Sequence, residues 1–90
     1  MSNVTNFLAN VAAAEKIVQA NHKASWDWAA SDRATRGPSP RLEKGADTVT
    51  MGNVSCKLSA PAQNARTNAC RRNWKINGKR ATEAEALAAL

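Results

Sequence analysis

Tyrosine is absent from these 90 residues, and phenylalanine and histidine occur once each. No stretch approaches the roughly 18 apolar residues that a membrane-crossing helix needs, so a membrane-spanning chain is not expected. The polar N-terminus has no cationic leader ahead of an apolar run, so secretion is not expected either. A reducing cytoplasm is the expected location, and Cys56 and Cys70 are then read as core residues rather than a disulfide. Two cysteines and the lone His22 match no zinc spacing, so no metal or other cofactor is expected. A glycine-rich phosphate loop, paired carboxylates at strand ends and a local Cys-His motif are all missing, and the reading is of a protein that is not an enzyme.

The most informative scarcity is of acidic residues. Between Thr48 and Thr82 there is no Asp or Glu, while Lys57, Arg66, Arg71, Arg72, Lys75, Lys79 and Arg80 all fall there. The acids lie before it (Glu15, Asp27, Asp32, Glu43, Asp47) and after it (Glu83, Glu85). A net charge of +6 favours an anionic partner, and its segregation along the chain points to one basic surface. A solvated surface that keeps a small protein soluble is the plainer reading of the same charges.

The same stretch carries two hairpin signals. Thr48 to Leu58 alternates strictly around Gly52-Asn53, which pairs Met51 with Val54 and Val49 with Cys56. Cys70 to Ala81 does so around Asn77-Gly78, pairing Ile76 with Lys79 and Trp74 with Ala81. Side chains of a strand alternate, so one sheet built from both hairpins has an inner face of Val49, Met51, Val54, Cys56, Leu58, Trp74 and Ile76. Its outer face holds Lys57, Arg71, Lys75 and Arg80. Arg72 and Lys79 fall on the apolar side, where their stems cover the sheet edge and their charges reach water.

The first 30 residues supply a cover. Val4, Phe7, Leu8, Val11, Ala14, Ile17 and Val18 recur at helical spacing, with Asn3 or Thr5 as the cap and Glu15 as an exception inside the apolar arc. The helix either continues through Asn21-His22 or restarts at Ser25. Trp26 and Trp28 are both core residues, or one is an exposed anchor for a partner, since positions i and i+2 of a helix cannot point the same way. Gly37-Pro38-Ser39-Pro40 opens a long loop to about Asp47. Ser59 to Ala69 reads as a short helix or as an irregular connection, with Arg66 exposed. Thr82-Glu83-Ala84-Glu85 is a capping box for a closing helix with Leu87 and Leu90.

The expectation is therefore an α+β domain spanning 1–90: a small antiparallel sheet of two hairpins (48–82) packed against a long N-terminal helix (1–30), with a loop (31–47) and a short C-terminal helix (83–90). A core this small, much of it alanine, implies modest stability or support from a partner or a second copy as a homodimer.

The tract Trp74-Lys75-Ile76-Asn77-Gly78-Lys79-Arg80 followed by Thr82-Glu83-Ala84-Glu85 resembles the hairpin-then-helix tails of small accessory proteins encoded by tailed phages. The resemblance covers the last fifth of the chain. It implies a mobile-element protein, acting in the host cytoplasm, that binds nucleic-acid machinery or a defence complex; it carries over no functional residue.

Two functions follow. One is nucleic-acid binding through the basic sheet face, with Lys57, Arg71, Lys75, Lys79 and Arg80, extended by Arg66, on phosphates. That face lacks aromatics, so stacking of bases is not expected. The other is a protein-binding inhibitor of a host nucleic-acid-processing or defence complex, anchored by Trp26 or Trp28.

Overall fold

The structure, a computed structural model, describes residues 2–61 and 69–90. The first 36 residues contain neither glycine nor proline, so nothing obliges a helix to stop. One helix, α1, runs from Asn3 to Ala30 without a break at Asn21-His22. Its cap is Ser2 rather than Asn3 or Thr5: the Ser2 hydroxyl accepts the Thr5 backbone N–H at 3.1 Å. Phe7, Val11, Ala14 and Val18 form its buried stripe. Ile17, expected within that stripe, is 50% exposed, because 100° per residue places it about 90° from the stripe's centre.

The two hairpins form a four-stranded antiparallel sheet in the order β1-β2-β3-β4, with β1 Thr48–Met51, β2 Val54–Ser59, β3 Arg71–Ile76 and β4 Lys79–Ala81. Its register is the one the alternation requires: Met51 opposite Val54, Val49 opposite Cys56, Trp74 opposite Ala81 and Ile76 opposite Lys79. The turn residues make this register possible. Asn77 and Gly78 both have positive φ (53° and 78°), the sign pattern of a type I′ turn, whereas in the first turn only Gly52 does (φ 61°), as in type II′. The Asn77 N–H donates to the Asn53 carbonyl at 2.8 Å, so the two turns are bonded side by side at one end of the sheet.

Val54, Cys56, Leu58 and Trp74 of the inner face are buried against α1, and the Phe7 and Trp74 rings lie 5.8 Å apart at 33°. Val49, Met51 and Ile76 are partly buried against the same cluster. Burying the single Phe contributes roughly 1.5–3 kcal/mol. Both thiols are free and buried. Burial pushes both the Cys56 and Cys70 thiols above the ordinary cysteine value, and the nearby Glu15 carboxylate adds to the rise at Cys70.

The closing helix α2, Glu83–Ala88, starts with both arms of the capping box. Glu85 N–H donates to Thr82 Oγ1 at 3.2 Å, and Thr82 N–H donates to Glu85 Oε1 at 3.1 Å. Ala86 joins the core, with Leu87 and Leu90 packed against it.

Glu15 inside the apolar arc and Arg72 on the apolar side of β3 explain each other. They face across the helix–sheet boundary at 3.9 Å, both partly exposed, a geometry worth about 0–1 kcal/mol. The Cys70 thiol also points at the Glu15 carbonyl, at 3.9 Å.

After Val18 no residue of α1 is fully buried. A helix of this length spans about 42 Å, far more than strands of three to six residues. The molecule is accordingly elongated, 50 × 26 × 25 Å, with a radius of gyration of 15.4 Å against about 12 Å for a compact chain of this length.

Candidate nucleic-acid interface

The side of the sheet away from α1 is assembled row by row. Thr50, Ser55, Lys75 and Arg80 are cross-strand neighbours spanning all four strands. Thr48, Lys57 and Asn73 form the next row, and Ser59 with Arg71 the third. Rows lie about 6.7 Å apart along the strands, and neighbouring strands about 4.8 Å apart. Lys57, Arg71, Lys75 and Arg80 therefore share a patch on the order of 13 by 10 Å. All four are exposed.

Lys75 and Arg80 stand directly opposite one another, an arrangement of like charges that destabilises an isolated sheet. No strand residue supplies a compensating acid. Among the described residues the one ion pair is Arg72–Glu15 on the other face, so none of the four outer cations has a carboxylate within 4.0 Å. Part of the patch is concave: a depression of about 770 Å³ is lined by Lys57, Asn73, Lys75 and Arg80, together with Arg72, Trp74, Thr82 and Glu83. Its hydroxyls and the Asn73 amide offer neutral hydrogen-bond partners between the charges, and no aromatic ring belongs to these rows.

Of the residues expected to contact a partner, Lys57, Arg71, Lys75 and Arg80 are brought together. Lys79 is not, because alternation puts it opposite Ile76 on the apolar side, at the turn. Arg66, with the short helix read over that segment, lies outside the described residues.

Neither Trp26 nor Trp28 enters the core, contrary to the reading that buried both. Trp26 is 52% exposed; its indole N–H donates to His22 Nε2 at 3.1 Å, and the two rings meet edge to face. Trp28, on the opposite flank, is covered by the loop. Its indole N–H donates to the Gly37 carbonyl at 2.6 Å, and the Arg36 guanidinium sits 4.0 Å over its ring. Arg36 also donates to the carbonyls of Trp28 (3.2 Å) and Ala29 (3.4 Å), placing a cation at the helix C-terminus, where it is favoured. No sequence motif singles out Arg36; an Arg just beyond a helix that has no basic residue in its last turn is the signal that does.

Among the described residues no three His, Cys, Asp or Glu side chains cluster as metal ligands would, and no helix is long and apolar enough to cross a membrane. No protein-family model matches this chain, and no curated protein or solved structure matches it either.

Proposed function

We propose that this protein acts by binding rather than catalysis, and that it holds nucleic acid by phosphate contacts across the outer face of its sheet. The observation that carries the reading is the set of four exposed cations on one sheet face, three of them (Lys57, Lys75 and Arg80) lining a depression, without a carboxylate partner among the described residues and held in a register that opposes Lys75 to Arg80. Such a face is electrostatically unsatisfied until an anion arrives. Hydroxyls between the cations suit phosphate and sugar oxygens, while the lack of rings in these rows removes the stacking platform of sequence-tolerant single-strand binders.

The test is the salt dependence of binding to a fluorescent oligonucleotide. Neutralising about four phosphates gives a slope of log K against log salt of about −3, so affinity falls on the order of 60-fold between 50 and 200 mM salt. Lys75→Ala lowers the slope by just under about 1. A flat response, or binding unchanged in the Lys75→Ala/Arg80→Ala double variant, rejects the proposal.

A second reading is favoured by Trp26, half exposed on a helix that outreaches the sheet. It makes the protein an accessory factor of phage origin that docks on a host nucleic-acid-processing or defence complex and inhibits it, Trp26 being the anchor and the basic face meeting an acidic or nucleoprotein surface. Two unpaired cysteines suit the reducing host cytoplasm that either reading supposes.

A further inference from the structure

Asn73 sits in the middle of the basic face and is the only residue of its rows with a side-chain carbonyl. It lies opposite Lys57 and two positions along β3 from both Arg71 and Lys75. Its amide nitrogen donates to the Lys57 backbone carbonyl at 3.3 Å and to Ser59 Oγ at 3.1 Å. The Lys57 carbonyl can only accept, so the amide orientation is fixed by chemistry. The two contacts use both amide hydrogens. What remains is Oδ1, which accepts from no group among the described residues.

A phosphate gains nothing from that oxygen. Lysine and arginine side chains are donors only, and they draw in anionic oxygens; a carbonyl among them repels such an oxygen and demands a hydrogen-bond donor instead. A ligand that satisfies the three outer cations and the amide of this depression must bring phosphate oxygens to Lys57, Lys75 and Arg80 and a hydroxyl or amino hydrogen to Asn73. In a polynucleotide the donor that recurs at every unit, whatever the base, is the ribose 2′-hydroxyl. It also suits a face that has no rings for sorting bases. We infer that Asn73 Oδ1 accepts the 2′-hydroxyl of a ribonucleotide, so that the basic face selects RNA over DNA.

This rests on the phosphate-binding reading and adds discrimination to it. The experiment compares the intact protein with four fluorescent probes of one length: uridine RNA, deoxyuridine DNA, 2′-fluoro RNA and 2′-O-methyl RNA. The fluoro probe keeps an RNA-like sugar and the methyl probe keeps the oxygen, but both lack the hydrogen. RNA is expected to bind about fivefold tighter than the other three, the worth of one hydrogen bond. In Asn73→Ala the RNA affinity falls to the DNA value, while the DNA affinity and its salt slope stay as in the wild type. Equal binding of RNA and DNA overturns the inference and leaves the phosphate reading standing, as does 2′-fluoro RNA binding as tightly as RNA, or a preference that survives Asn73→Ala. Absence of salt-sensitive binding to every probe overturns both. The probe series needs no variant, so a failure of Asn73→Ala to fold does not shield the inference.

Discussion

Adding a single methyl group at Gly78 tests the device that orders the basic face. Gly78 has φ +78° and no heavy atom within 4 Å of the place a Cβ would occupy. The expected penalty of Gly78→Ala is therefore conformational and owes nothing to a clash, about 1–2 kcal/mol for a left-handed L-residue. Gly37 is the internal control. It too has open space around a built Cβ, but its φ is not in the left-handed range, and its carbonyl, which accepts from Trp28, survives substitution. Gly37→Ala should leave stability unchanged or raise it by about 0.4–1 kcal/mol by restricting the unfolded chain. In thermal unfolding followed by circular dichroism, 1 kcal/mol moves Tm by about 4–8 °C for a domain of this size. Gly78→Ala should thus melt several degrees below the wild type and Gly37→Ala at or above it. Equal Tm values for the two variants would refute the argument that the Asn77-Gly78 turn dictates the register placing Lys75 opposite Arg80.

Two further predictions concern the tryptophans and the thiols. Trp28→Ala removes the bond to Gly37 and the seat of Arg36, and is expected to lower Tm, whereas Trp26→Ala leaves Tm within a degree or two and diminishes binding to a protein partner; if Trp26→Ala unfolds the protein as Trp28→Ala does, the anchor reading fails. Burial raises the folded thiol pKa of Cys56 and Cys70 above the unfolded value of 9.0, so their contribution is fully present below about pH 9 and is lost as pH rises beyond it through the folded values. Urea midpoints should hold to pH 8.5 and then decline, and Cys56→Ala should decline less steeply than the wild type; parallel curves would mean the buried thiol is not the titrating group.

What the chain discloses by itself is whatever its neighbours in sequence decide. The Asn-Gly and Gly-Asn turns, the alternation around them and the Thr82/Glu85 box are local, so the register, both sheet faces and the α2 start could be read residue by residue. Glu15 and Arg72 looked like separate violations of pattern because the pair forms only when α1 lies on β3. Opposite charges misplaced on two surfaces that must meet are a legible signal once considered together. The fate of Trp28 depends on a loop folding back over it, which periodicity does not encode, and Ile17 lies too far round the helix for the sheet to cover. For the candidate site, alternation brought together the four cations and Asn73. That the Asn73 amide spends both hydrogens within the sheet, leaving Oδ1 without a donor among the described residues, was visible only in three dimensions.

The unequal lengths of α1 and the sheet divide the helix energetically. Its first half can lose structure only if the core opens, so amide protons there should exchange at the rate of global unfolding. From Gln19 to Ala30 no side chain is fully buried, and the final carbonyls are clasped by Ser31 and Arg36. That outboard half can melt and re-form while the hairpins stay intact, an arm of variable order beside a rigid plate.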